Sequence, residues 1–403
     1  MTASQLLAWI AGALLLQLLV GGAWAYRRRR EQPVFAPLPA MPAAQGGAWQ
    51  GLRAFRVQAR AYEDAARSQC SFYLVPLDAQ PLPAFEPGQF LTFVLPLPDP
   101  ARPGSEASVT RCYSLSDAPD PAHYRVTIKR QPDGRVSRYF HEQVQPGQVL
   151  QLRAPAGHFH IDADGREPAV LVAGGIGITP MLSMLRWCLA HQPQRRLHLL
   201  YGLRHGAEHA FKAQLEQLAA AHPQLTLTVA YSRPAAGDRL GTDYQHAGHV
   251  DLELLRRTLP HGRHRFFLCG PPALMASLVP ALAAWGVPES DIHYEAFGPA
   301  SLPRSAPAGG ADAGAAPGLH AQLRFQRSGR SLSWDGNAAN LLDFAEAHGI
   351  AVDSGCRSGG CGSCETRLLE GSVHYPHRPD HDPAPGHCLL CVAQPASDLV
   401  LEA

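Results

Sequence analysis

The 403 residues carry almost no net charge, +1 with histidine neutral. Without a basic excess there is no electrostatic claim on nucleic acid, and no such partner is expected. A disulfide framework is also missing. Of nine cysteines, Cys70, Cys112, Cys188 and Cys269 stand alone in the sequence, which suits a reducing compartment. Internal repeats are lacking, which excludes a solenoid or propeller. No G-x-G-x-x-G fingerprint is present, which excludes the simplest dinucleotide signature. What remains is an ordinary globular composition, 46% apolar, with 37 glycines and 36 prolines marking many turns and linkers. The length leaves room for two to four domains.

One long apolar run exists. Leu6 to Tyr26 is 21 residues without a formal charge, bounded by Trp9, Trp24 and Tyr26. At about 1.5 Å per residue it spans a hydrocarbon core of about 30 Å. Met1 to Gln5 has no Lys or Arg, whereas Arg27 to Arg30 follow at once. A secretory leader has the opposite polarity. The positive-inside rule predicts a single-pass anchor in a bacterial-type cytoplasmic membrane, with the N-terminus outside and the rest cytoplasmic. The lipid bilayer is therefore an expected partner. The competing reading is a leader cleaved at Ala23-Trp24-Ala25.

The sequence divides as follows: anchor 1–26, Pro-rich tether 27–48, then 49–163, where short alternating runs predict an antiparallel β-barrel. Across 164–299 strands alternate with helices, which predicts a parallel α/β sheet. Helices are expected at 179–189, 211–221 and 273–285. His158-x-His160 resembles a metal pair but reads as part of an alternating strand. Residues 300–318 form an Ala/Pro/Gly-rich linker. In 319–403 a hairpin around Gly329 and a helix over 340–348 precede a cysteine loop.

That loop reads Cys356-Arg-Ser-Gly-Gly-Cys361-Gly-Ser-Cys364, with Cys391 beyond it. The spacing is that of a plant-type [2Fe–2S] cluster. Each iron takes two thiolates, so one tight loop must deliver three. Gly359, Gly360 and Gly362 let it fold and aim N–H groups at anionic sulfur. A zinc ribbon could use Cys361-x-x-Cys364 and Cys388-x-x-Cys391, but leaves Cys356 and the glycines without a role. Cys388 is assigned as the spare thiol.

Three further motifs punctuate the middle of the chain. Gly174-Gly-Ile-Gly-Ile-Thr-Pro180 joins a buried strand to a helix, where backbone N–H groups can meet a pyrophosphate. Cys269-Gly-Pro-Pro272 ends the last core strand, at the side where open α/β sheets bind ligands. In Arg111-Cys-Tyr-Ser114, a guanidinium, an aromatic ring and a hydroxyl stand close together. Each has a bland alternative: a tight turn, a helix start, an edge strand.

Taken in order with Glu295-Ala-Phe297, these motifs resemble the ferredoxin–NADP reductase superfamily. The appended ferredoxin segment is similar to that of oxygenase reductases and hybrid-cluster-protein reductases. The resemblance covers about 49–403. It implies FAD, a [2Fe–2S] cluster, and NADH or NADPH as donor. It further implies that Arg111 holds a flavin phosphate, Tyr113 stacks on the isoalloxazine, and Ser114 faces its N5. Lys129, Gly134, Val136 and Ser137 join the flavin site, and Gly134 to Ser137 favours FAD over FMN. Gly175, Gly177, Thr179, Gly270 and Pro271 fall to the nicotinamide dinucleotide. Cys269 lies against the nicotinamide, Glu295 completes a polar cluster with Ser114 and Cys269, and Phe297 covers the flavin. Ser232, Arg233 and Tyr244 resemble a 2′-phosphate and adenine site, while flavohaemoglobin-like surroundings lean toward NADH, so the donor stays open. Cys356, Cys361, Cys364 and Cys391 are the metal ligands.

The expected function is a membrane-anchored NAD(P)H-dependent reductase. It would pass electrons through FAD to the cluster and on to an external protein acceptor, membrane-bound or soluble, such as an oxygenase, desaturase or haem protein. The alternatives are a non-catalytic electron-transfer subunit of a larger membrane complex, and a diaphorase with a vestigial cluster.

Overall fold

The computed structural model describes Trp49, residues 51–98, 104–296, 321–355, Arg357, Gly359, 361–376, Pro379 and 381–403, with Gln5, Trp9 and Gln17. The expected anchor (apart from those last three residues, each helical and exposed), the tether and the 300–318 linker lie outside the described residues. Among the described residues no helix is long and apolar enough to cross a membrane.

Six antiparallel strands form the first sheet: β1 Arg53–Tyr62, β2 Gln69–Pro76, β3 Phe90–Pro98, β4 Glu106–Ser114, β5 Tyr124–Lys129 and β6 Val149–Ala156. Their order is β4-β3-β6-β1-β2-β5. The sheet closes because the chain leaving β4 bridges Leu115 to Val126 of β5, and Ser116 N–H donates to the Arg125 carbonyl at 2.8 Å. Phe55, Phe72, Phe93 and Phe140 fill its core. Phe140 comes from helix α1, Arg135–Glu142.

His158-x-His160 does not continue β6 as expected. β6 ends at Ala156, and beyond Gly157 His160 N–H donates to the His158 carbonyl at 3.1 Å, a three-residue turn with Phe159 buried at its centre.

The second sheet is parallel: β7 Ala169–Gly174, β8 Leu197–Leu203, β9 Leu225–Tyr231, β10 His246–Ala247, β11 Arg265–Gly270 and β12 Ile292–Ala296. Its order is β10-β9-β8-β7-β11-β12. Helices α2 Ile178–His191, α3 Lys212–Ala221, α4 Leu252–Thr258 and α5 Pro272–Ala284 alternate with the strands. Alternate residues of β7 enter different cores: Leu171 packs with Met181 and Leu185, while Val170 and Val172 pack with Leu268 and Leu278.

Helix α3 starts one residue later than the periodicity suggests. Phe211 adopts a left-handed conformation, φ 58°, and its N–H donates to the Glu63 carbonyl of the first sheet at 3.1 Å. It is a joint between sheets instead of a first-turn residue. The seam also holds a buried charge network. Arg125 is 1% exposed, donates to the Ser116 carbonyl and pairs with Asp117 at 3.4 Å. Asp117 also takes Arg186 of α2 at 2.7 Å, and its carbonyl accepts from Ser183 at 2.7 Å. Burial opposes the charge on Arg125, but Asp117, Tyr73 and Glu63 outweigh it and its pKa is raised.

The third sheet is mixed: β13 Ala321–Phe325, β14 Arg330–Trp334, β15 Glu365–Glu370, β17 His387–Leu389 and β19 Leu399–Leu401, in the order β14-β13-β19-β15-β17. A small pair, β16 Val373–His374 with β18 Gln394–Pro395, stands apart. The hairpin falls at Gly329, φ 67°, as expected. Helix α6, Leu341–Ala347, is capped by Asn340, whose side chain accepts from Asp343 N–H at 2.9 Å.

Asp117→Ala strands two buried guanidiniums without their carboxylate. It is expected to cost about 3–5 kcal/mol in denaturant unfolding of the first two sheets, whereas Asp78→Ala, at the exposed Arg53 pair, is expected to leave the unfolding midpoint nearly unchanged.

Candidate active site and cluster loop

The strand order reverses between β7 and β11, and ligands of open α/β sheets bind outside the strand ends at that point. Both glycine motifs arrive there. A short 3₁₀ turn, Gly175–Gly177, leads from β7 into α2. A Cβ on Gly177 would stand 2.1 Å from the Cys269 carbonyl oxygen, so only glycine permits this packing. Gly270 packs less tightly on Gly174, where an added Cβ would stand 3.0 Å from the Gly174 Cα. Gly175 differs: its φ is +54°, and nothing lies within 4 Å of where its Cβ would stand. The outer side of the turn is therefore open. Thr179 is buried, and its hydroxyl donates back to the Ile176 carbonyl at 2.9 Å, fixing the turn. Pro271 caps α5 and packs against Gly174.

Cys269 is fully buried and sits beside Glu295 in the β11–β12 register. Burial, and then the neighbouring Glu295 carboxylate, push its thiol well above the ordinary range. It is a neutral S–H and no nucleophile.

On the first sheet, Arg111 is exposed and donates to the Thr110 carbonyl at 2.7 Å. Tyr113 lies edge-on to Phe93, 5.7 Å between centroids, and to Phe140, 5.4 Å. Burial pushes its hydroxyl pKa up. Ser114 is buried at the end of β4, opposite Phe90, three residues before Asp117. Lys129 lies 3.5 Å from Glu208, which also holds Arg204. Gly134 precedes α1, whose N-terminus has no side-chain cap, and Ser137 donates to the Gly134 carbonyl at 3.1 Å. Val136 points into the barrel core. An uncapped N-terminus beside a glycine suits an anion.

Farther along the strand ends, Ser232 donates to the Leu203 carbonyl at 3.3 Å and Arg233 is exposed. Tyr244 stacks on Tyr231, 4.7 Å and 17°, so one of its faces is taken. The chain register brings Cys269 and Glu295 together with both glycine turns, while Ser232, Arg233 and Tyr244 form a separate group. Phe297 lies outside the described residues.

Cys356 also lies outside them, and among the described residues no three ligating side chains form a finished metal cage. The rest of the loop fits a cluster. Cys361, Cys364 and Cys391 are all buried, and the Cys364 and Cys391 sulfurs stand 3.1 Å apart. N–H groups of Ser363 and Cys391 each point at a cysteine sulfur at 3.5 Å. Gly359 and Gly362 take φ +78° and +70°, and a Cβ on Gly355 would stand 2.8 Å from the Cys361 sulfur. Arg357, itself left-handed at φ 56°, anchors the loop to Asp343 and Glu346 of α6. Cys388 is different. It faces the sheet core opposite Thr366, and burial, with Cys364 and Glu365 adding to it, pushes its thiol up to about 12.

Sequence reasoning missed the Asp117–Arg125–Arg186 seam. Its signal was Arg125, a charge set among Tyr124, Val126, Thr127 and Ile128 in a strand with both faces buried.

Comparison with known proteins agrees with this geometry. Residues 79–161 match an oxidoreductase FAD-binding domain, 171–279 an oxidoreductase NAD-binding domain, and 323–396 a 2Fe-2S iron-sulfur cluster binding domain. The chain is 36% identical to the flavohemoprotein of Bordetella pertussis over 296 residues, 72% of this chain and 69% of that one. It is 41% identical to the Chromobacterium violaceum flavohemoprotein over 261 residues, 62% of each. It thus spans about three-fifths of the length of most flavohemoproteins it matches, 62% for that of Halalkalibacterium halodurans. Phthalate dioxygenase reductase, described as a modular structure for electron transfer from pyridine nucleotides to [2Fe–2S], aligns with TM-score 0.50 and 26% identity, covering 88% of this chain and 98% of that one. The FAD/NAD-binding domain of a Vibrio cholerae nitric oxide dioxygenase aligns with TM-score 0.54 and 34% identity over 61% of this chain and 99% of that one.

Gly177→Ala is expected to push β7 off β11 and raise the KM for NAD(P)H at least several-fold while flavin stays bound; steady-state ferricyanide reduction reads it. Cys361→Ser is expected to remove the iron signal, and Cys388→Ser to keep it, by iron analysis of both.

Proposed function

The chain belongs to the ferredoxin–NADP reductase superfamily, and on that premise we propose that it is a membrane-anchored reductase delivering electrons to an external protein acceptor. Its chemistry is that of an NAD(P)H-dependent flavin and iron–sulfur oxidoreductase, with FAD-binding, NAD-binding and 2Fe-2S domains in one chain. The observation that carries the reading is the meeting of the two glycine turns over buried Cys269, beside Glu295, in a chain that also builds a buried three-thiol loop. When bound, FAD supplies hydride acceptance from NAD(P)H and the cluster supplies single-electron carriage.

The residues do the positioning. Arg111 clamps a flavin phosphate, Tyr113 offers a ring face, and Ser114 hydrogen-bonds the flavin edge. The uncapped start of α1 receives the pyrophosphate. The open side of Gly175 receives the dinucleotide phosphates. Cys269 gives the nicotinamide a neutral, dry floor, and Glu295 orients its polar edge. Cys356, Cys361, Cys364 and Cys391 hold the cluster. The leaning toward NADH rests on the similarity to flavohemoproteins, while Tyr244, stacked on Tyr231, keeps one face for the adenine of either donor.

The external acceptor is a redox protein such as an oxygenase, desaturase or haem protein. The apolar run at 6–26 followed by four arginines supports an anchor with the catalytic domains on the cytoplasmic side. The tether then raises the effective concentration of the ferredoxin domain at the bilayer.

Purified protein is expected to hold flavin and about two irons per chain; zinc without sulfide would sink the reading. Ser114→Ala and Glu295→Gln are expected to slow hydride transfer by on the order of 100-fold with flavin retained, by stopped-flow absorbance. Arg111→Ala is expected to lose flavin instead. Removing residues 1–32 is expected to leave NAD(P)H–ferricyanide activity unchanged and release the protein from membranes. A reporter fused after Ala403 that reads as periplasmic would overturn the orientation.

A further inference from the structure

The outer side of the cysteine loop is bare by construction. Gly359 and Gly362 stand between the cysteines in left-handed conformations and present no side chains. A separate segment supplies the cover. An added Cβ on Gly359 would stand 3.0 Å from Pro379 and 3.1 Å from Val392. One on Gly362 would stand 2.7 to 3.0 Å from three atoms of the His381 ring. The fit is close enough that the strap occupies the space side chains would fill.

His381 is the fastening. Its N–H donates to the Gly359 carbonyl at 2.9 Å, and its ring Nε2 lies 2.9 Å from a Glu365 carboxylate oxygen. The other carboxylate oxygen accepts from Ala384 N–H at 2.9 Å. One carboxylate, on the residue after Cys364, therefore holds the strap at two points three residues apart. His381 touches none of the cysteine sulfurs in any hydrogen bond of the described residues, so its action on a cluster is indirect.

We infer that His381 is a positioning residue for the iron–sulfur centre. It pins Pro379 and residues 381–384 over the cysteine loop, keeps water off that face, and so holds the cluster's reduction potential low and its iron shielded from exchange. The physical basis is general. Reduction adds negative charge to an already anionic centre, and water at its surface favours that added charge. Removing the cover makes reduction easier and opens the iron to chelators. The inference rests on Cys356, Cys361, Cys364 and Cys391 being the ligands. Iron and sulfide analysis of the unmutated protein tests that reading separately.

The test is the full-length holoprotein carrying His381→Ala, followed by EPR-monitored redox titration and by bleaching in a ferrous chelator. At a fixed potential the ratio of reduced to oxidised cluster is expected to rise about threefold or more, about 30 mV for one electron. Bleaching is expected to quicken several-fold. Flavin content and NAD(P)H–ferricyanide reduction should not move. His381→Gln keeps a side-chain N–H able to reach Glu365 and is expected to restore both cluster readouts most of the way. An unchanged potential and bleaching rate in His381→Ala would overturn the inference. If that variant retains no iron, His381→Gln decides: near-normal readouts support the clamp, and the same iron loss overturns it.

Discussion

A guanidinium buried to 1% exposure at the joint of two domains constrains everything around it. Arg125 cannot be solvated, so the fold must deliver a carboxylate, and Asp117 is delivered by the chain that leaves β4 just after Ser114. The same carboxylate takes Arg186 of α2, the helix that begins at the glycine turn. The seam thus fixes the end of the strand bearing Ser114 relative to the turn bearing Gly175 and Gly177. On the proposed reading, those are the two places where a flavin edge and a nicotinamide would meet. A buried ion pair is weak evidence for stability but strong evidence for a defined arrangement when each partner comes from a different element. Phe211 adds a second constraint, with its N–H on Glu63 and its ring 5.2 Å from the Arg125 guanidinium.

Much of the architecture was legible in the sequence, because periodicity and punctuation are local. The alternating runs between 54 and 152 became the antiparallel sheet, and the buried runs at 169–173 and 265–269 became adjacent parallel strands. The glycine motifs announced a close approach, and Gly177 against Cys269 is one. The failures share a cause. His158-x-His160 looked like strand because alternation cannot register a turn made by one i to i+2 hydrogen bond. Phe211 looked helical because its apolar character fits the period, while its real duty is to another domain. The ion-pair seam and the His381 strap depend on partners that meet only in the fold: a buried Arg125 signals the need for a carboxylate, but no local pattern names Asp117 shared with Arg186, or pairs His381 with Glu365.

The cysteine loop shows the reverse economy. Its spacing was enough to propose the cluster, and the structure adds why the loop keeps its shape. Arg357 ties it to α6, glycines bend it, and the neighbouring Cys388 is held in the core with a thiol raised to about 12. Cys388 differs from its neighbours in facing the sheet core opposite Thr366, whereas the Cys364 and Cys391 sulfurs stand 3.1 Å apart.

The seam also bears on how such a protein can be assembled over generations. A recombination event that exchanged the flavin barrel alone would leave Arg186 facing a foreign loop, and one that exchanged the nucleotide sheet alone would leave Arg125 and Asp117 without their third partner. Only the first hybrid begins life with an uncompensated buried charge; the second keeps the Arg125–Asp117 pair and loses its tie to α2. Exchange of either sheet alone is therefore expected to need a matching change at Asp117, Arg125 or Arg186.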